Sequence, residues 1–87
     1  MILNPLPIYT WKANYIASMP LHEQLKNKIH LSIETGQLKS GSFLPSAKKL
    51  SEELNISVAT SQRAYKQLMD EGCLAFVKGK GYMVFMR

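Results

Sequence analysis

Eighty-seven residues, 46% of them apolar and 20% charged, suffice for one small domain with one hydrophobic core and argue against a disordered chain. No apolar run approaches the roughly 18 residues that would span a membrane, and a single cysteine excludes an internal disulfide. Eleven Lys and Arg against six Asp and Glu give a formal net charge of +5, which favours a polyanionic partner.

Residues 1–19 carry a single base, Lys12, and are broken by Pro5 and Pro7. They lack both the basic start and the continuous apolar stretch of a targeting peptide, so a cytoplasmic location is expected. Ile8, Trp11, Tyr15 and Met19 recur three or four apart, the spacing of a short helix with an aromatic stripe. That stripe either packs on its own domain or makes a dimer contact.

From Pro20 the pattern is regular. Leu21, Leu25, Ile29 and Ile33 recur every four residues and predict an amphipathic helix over about 20–35, with Pro20 at its start and Gly36 as a left-handed C-cap. The segment GQLKSGSFLPS then reads as a structured loop whose Leu38, Phe43 and Leu44 plug into the core. Ser46 is an N-cap, and Leu50 with Leu54 gives a short helix ending near Asn55, a residue that accepts the left-handed conformation. Ile56 points inward ahead of a second N-cap, Ser57.

The next helix runs from Val58 to about Asp70, with Ser61, Ala64, Tyr65 and Leu68 on its inner face and Gly72 as its stop. Cys73, between Gly72 and Leu74, is expected to be a small buried filler. Two β-prone runs, LAFV and YMVF, flank Lys78-Gly79-Lys80-Gly81 and predict a hairpin with a glycine-rich turn. Helix, short helix, tight turn, helix and hairpin are the order of a winged helix-turn-helix, mainly α with a small β-hairpin: three helices plus a two-stranded wing over residues 20–87.

The pieces that carry this order are PLHEQL at Pro20 to Leu25, GQLKSGSFLPS at Gly36 to Ser46, KLSEELNIS at Lys49 to Ser57, AYKQLMDEG at Ala64 to Gly72, and GKGYMV at Gly79 to Val84. In this order and spacing the sequence resembles the DNA-binding domain of the GntR family of bacterial transcription regulators. The phrase SVATSQRAY is similar in style to the YtrA-like branch and to the DNA-binding heads of MocR-type regulators, which carry Ala-Tyr as Ala64-Tyr65 does here. The resemblance implies a third helix that enters the major groove and a wing that reaches an adjacent minor groove. It also implies an effector and dimerisation domain after the wing, so the chain is either a fragment or a short regulator that dimerises by other means, with residues 8–19 as its surplus apolar surface.

Departures from the family pattern are equally readable. Ser46-Ala47-Lys48 stands where the family commonly has Ser-Glu-Arg, Val58 and Gln62 stand where it commonly has arginines, and Ser61 where it has a core valine. Lys49 replaces the Glu of a capping box, leaving two lysines at a helix start that prefers an anion.

At 100° per residue, Val58, Gln62, Arg63 and Lys66 project away from the Ser61, Tyr65 and Leu68 side. The first turn carries no long side chain, so Val58, Ala59 and the Thr60 methyl are expected to meet base edges, and Gln62 to pair with adenine. Ser46, Lys48, Lys49, Ser57, Arg63 and Lys66 are expected phosphate contacts. Lys78, Gly79, Lys80 and Gly81 form a narrow wing tip suited to a minor groove.

Tyr65, Phe76, Tyr82 and Phe85 are expected to fill the core rather than to stack on bases. His22 and His30 lie eight residues apart, about 80° round a helix, and with one cysteine in the chain no metal site is expected. Neither a catalytic set nor a phosphate-binding loop stands out, so the chain reads as no enzyme and as holding no cofactor. The expectation is a sequence-specific double-stranded-DNA-binding transcription regulator, a repressor, recognition helix 58–70 in the major groove and wing 78–81 near the minor groove. Its rivals are a winged helix used for protein interaction and the detached head of a MocR-type regulator, whose absent portion would bind pyridoxal phosphate.

Overall fold

The computed structural model describes residue 14 and residues 18–85. Along these residues run α1 (Leu21–Glu34), β1 (Phe43–Leu44), α2 (Ala47–Leu54), α3 (Val58–Asp70), β2 (Leu74–Val77) and β3 (Gly81–Val84).

Helix α1 buries Leu25, Ile29 and Ile33 of the predicted stripe, while Leu21 in its first turn is half-buried. Ser32 is buried beside them, its hydroxyl satisfied by donation to the Lys28 carbonyl at 2.8 Å. Pro20 offers no side-chain cap. Gln24 instead ties the chain ahead of the helix to its first turn: its Nε2 donates to the carbonyls of Met19 (2.7 Å) and Asn14 (3.0 Å), and its Oε1 accepts from the Asn14 N–H. Of the N-terminal apolar stripe, Met19 is exposed, while Ile8, Trp11 and Tyr15 lie outside the described residues.

After α1 the chain turns at Gly36 (φ +82°), and the Leu38 amide donates to the Ser32 carbonyl, seating Leu38 in the core. The loop then contributes a third strand that periodicity does not reveal. β1 pairs antiparallel with β3, Phe43 opposite Met83 and Leu44 opposite Tyr82, giving a sheet of order β1-β3-β2. Two further bonds extend this edge, Gly41 N–H to Val84 O and Val84 N–H to Ser42 O. Because neighbouring strand residues face opposite ways, Leu44 is buried and Phe43, expected in the core, is 41% exposed.

Helix α2 buries Ala47, Leu50 and Ser51 and ends at Asn55, which adopts φ 55° and ψ 46°, a conformation that asparagine tolerates better than most residues. Ile56 is half-buried against the core, and three residues after α2 the chain enters α3. The inner face of α3, Ser61, Ala64, Tyr65 and Leu68, is fully buried. Gly72 (φ +79°) ends the helix: its amide donates to the Met69 carbonyl and the Cys73 amide to the Leu68 carbonyl, the two bonds of a Schellman turn.

β2 and β3 form the expected hairpin, with Leu74 opposite Val84 and Phe76 opposite Tyr82. Leu74 and Val84 are buried, and the Tyr82 ring packs 4.6 Å from that of Tyr65. Phe76 and Phe85, expected inside, are 61% and 51% exposed. Phe76 lies edge-on against Tyr82 at 5.4 Å, outside a core that Tyr65, Leu74 and Val84 already close. Cys73 is half-buried rather than fully buried. No helix among the described residues is long and apolar enough to cross a membrane.

Candidate nucleic-acid interface

The exposed start of α3 is built by its cap. Ser57 is extended (φ −71°, ψ 151°), and its Oγ accepts from the Thr60 amide at 3.1 Å while sharing a 2.7 Å hydrogen bond with the Thr60 hydroxyl. This leaves a first turn whose side chains are short: Val58 and Ala59 are exposed, and Thr60 is half-buried with its hydroxyl occupied by the cap. Gln62, Lys66, Ala59 and Arg63 then fall within an arc of about 100° on the outer side of the helix, opposite the buried face. All four are exposed.

Helix α2 starts by the same device, Ser46 Oγ accepting from the Lys49 amide at 3.1 Å. Its first turn holds Lys48 and Lys49 and no acid. Lys49 is paired in sequence with Glu53 one turn on, Nζ to Oε1 at 2.9 Å, and Lys66 with Asp70 at 3.5 Å. Such exposed pairs contribute less than about 1 kcal/mol and yield readily to a competing phosphate. Lys48, Arg63, Lys78 and Lys80 are exposed and form no ion pair among the described residues.

The hairpin tip is closed by the Lys80 amide donating to the Val77 carbonyl at 2.9 Å. Gly79 and Gly81 take φ +81° and +110°, and a Cβ at either position would meet nothing within 4 Å. The tip is therefore thin, with Lys78 and Lys80 as its two long side chains.

A shallow pocket of about 340 Å³ between α1 and α3 is lined by His22, Arg63, Lys66, Gln67 and Asp70. Among the described residues the buried Gln67 Oε1 has no hydrogen-bond partner, nor has the hydroxyl of Ser61. Only the packing of α1 on α3 brings His22 and Gln67 beside Arg63 and Lys66, so no spacing along the chain reveals them. The remaining expected site residues divide into three groups, the α3 start, the α2 start and the hairpin tip, all exposed but for the half-buried Thr60 and Gly81.

Comparison with known proteins supplies the context for these groups. Residues 21–84 match the model of the bacterial regulatory proteins of the gntR family. The mannosyl-D-glycerate transport/metabolism system repressor MngR of Escherichia coli is 34% identical over 65 residues, 75% of this chain and 27% of that protein. The chain spans 12–29% of the lengths of the curated relatives it matches. Among solved structures, YtrA from Sulfolobus acidocaldarius, a GntR-family transcription factor, superposes with a TM-score of 0.82 at 31% identity, covering 88% of this chain and 66% of that one. The DNA-binding domain of AraR in complex with operator ORX1 shares the fold, with a TM-score of 0.73 at 24% identity over 85% of this chain and 92% of that domain.

Proposed function

The chain belongs to the gntR family of bacterial regulatory proteins, and from that premise we propose that it binds double-stranded DNA sequence-specifically and represses transcription. The observation that carries this reading is the exposed start of α3, where short side chains at Val58, Ala59 and Thr60 let the helix end approach base edges closely. Gln62, on the same side, has the amide geometry to pair with adenine N6 and N7, a contact that discriminates between bases by about 1–3 kcal/mol.

Ser46, Lys48, Lys49, Ser57, Arg63 and Lys66 hold phosphates on either side of that helix end. Ser46 acts through a hydroxyl that accepts from a backbone amide and retains its proton to donate, and Ser57 does so when the Thr60 hydroxyl is the donor of their 2.7 Å pair. Lys78 and Lys80, on the thin tip that Gly79 and Gly81 allow, reach a neighbouring minor groove. In a homodimer with contacts through residues 8–19, half-sites would lie about one helical turn apart. The protein acts in the cytoplasm, and its effector binds outside this chain.

A gel shift on a duplex recovered by binding-site selection, repeated over a range of salt, tests the reading. If about four to six phosphates are neutralised, log affinity falls against log salt with a slope near −4 to −5. No binding at low salt, or binding indifferent to salt, sinks it.

A further inference from the structure

On the side of the fold formed by α1 and the end of α3, three side chains of metal-binding chemistry converge. His30 on α1, Glu71 at the C-cap of α3 and Cys73 at the head of β2 each offer a ligand atom, and these atoms all lie within 4.8 Å of one another. We propose that they bind a divalent transition metal of the zinc type, independently of the DNA reading.

The chemistry of the donor set selects the metal class. A thiolate, an imidazole nitrogen and a carboxylate oxygen together suit zinc or cobalt(II) and are wrong for magnesium or calcium, which take oxygen alone. In a tetrahedral zinc site, neighbouring donors stand about 3.4–3.6 Å apart, from bond lengths near 2.0–2.3 Å. The three side chains therefore need to close by about 1 Å, which side-chain torsions supply without moving the backbone.

The backbone beneath them is fixed. Glu71 and Cys73 flank Gly72 in the Schellman turn, and the Cys73 carbonyl accepts from the Phe85 amide at 2.9 Å. His30 sits mid-helix, with its Nδ1 3.5 Å from Glu34 Oε1. A carboxylate on the second ring nitrogen is the usual outer partner of a metal-bound histidine, fixing its tautomer and leaving Nε2 for the metal.

A neighbouring ammonium opposes the cation. Lys26 Nζ contacts Glu71 Oε2 at 3.1 Å, so the metal must take the other carboxylate oxygen or displace the ammonium. Three protein donors leave a fourth position for water or an added ligand. The cysteine is bound as thiolate, so each metal ion taken up releases the thiol proton to solvent. The bound metal joins α1 to the α3–β2 corner, apart from the α3 start and the hairpin tip.

Cobalt(II) titration of the purified, reduced 87-residue chain tests the site, with zinc competition and thermal unfolding alongside. The expected result is one equivalent of cobalt with a thiolate-to-metal charge-transfer band, displaced by zinc, and a melting temperature that rises with zinc. Cys73→Ser abolishes the band, His22→Gln leaves it intact, and Glu34→Gln weakens affinity by about 10–100-fold through the outer partner. Lys26→Gln strengthens it. Absence of the band in the folded wild-type chain overturns the proposal, as does a band that His22→Gln removes or a zinc-induced melting shift that survives Cys73→Ser.

Discussion

The phenol of Tyr65 donates a 2.7 Å hydrogen bond to the carbonyl of Pro45, twenty residues earlier in the chain. Pro45 lies between the end of β1 and the Ser46 cap of α2, while Tyr65 is fully buried on α3 with its ring 4.6 Å from Tyr82 of β3. One side chain thus joins both helices of the helix-turn-helix to the wing sheet. Tyr65→Phe keeps the ring contact and leaves the Pro45 carbonyl without that donor. A loss of about 1 kcal/mol in unfolding free energy is expected, read as a lower denaturant midpoint at unchanged slope.

Ser61 presents the opposite case, a hydroxyl fully buried on the same helix face with no partner among the described residues. Removing an unsatisfied polar atom is favourable, and alanine is also the better helix former. Ser61→Ala should therefore raise stability by about 1 kcal/mol. A lower thermal midpoint for this variant would contradict the account of that hydroxyl.

Gln62 and Lys80 test the division between reading sequence and gripping the backbone. Gln62→Ala is expected to flatten the base preference at one position, with a discrimination loss of about 1–3 kcal/mol. Lys80→Ala is expected to weaken all duplexes alike. Affinities for a panel of single-base operator variants separate the two, and identical behaviour would refute the assignment.

The wing also has an electrostatic signature. Removing both tip cations in Lys78→Ala/Lys80→Ala should make the salt slope of log affinity shallower by about 1.8, at about 0.9 per phosphate released. An unchanged slope would mean that the tip does not meet the backbone.

Gly81 enters β3 at φ +110° with open space around it. Substitution there meets no steric neighbour, so the cost of Gly81→Ala is conformational and should be about 1–2 kcal/mol. Chemical denaturation measures it directly. A change of only a few tenths would show that the hairpin can relax to a different turn.

Much of this fold was legible because its boundaries are marked by residues with one strong local preference. Ser57 before Val58 and Gly72 after Asp70 delimit α3, and the inner face follows from a 100° turn per residue. β1 is not legible because two residues cannot display an alternation, and hydrophobicity alone puts Phe43 inside. Phe76 and Phe85 failed the same way, since apolar character states a preference for burial and not whether a small core has room.

At the candidate interface, the caps at Ser46 and Ser57 follow from their place just ahead of each helix, while the pairs Lys49–Glu53 and Lys66–Asp70 are additions from the structure. The His22 and Gln67 pocket does not, because it is made where two helices distant in sequence meet. The convergence of His30, Glu71 and Cys73 is invisible for the same reason: motif spacing describes ligands on one element, and these come from two, His30 on α1 and the Glu71–Cys73 pair at the end of α3.

The two-residue strand β1 has one more effect. It ends at Leu44, and Ser46 already caps α2, so only Pro45 separates the sheet from the helix that carries Lys48 and Lys49. With proline's φ fixed and its carbonyl held by Tyr65, the first turn of α2 is tied to the edge of the sheet with a single residue of slack. The start of α2 is therefore placed relative to the sheet by the fold itself and not by a linker.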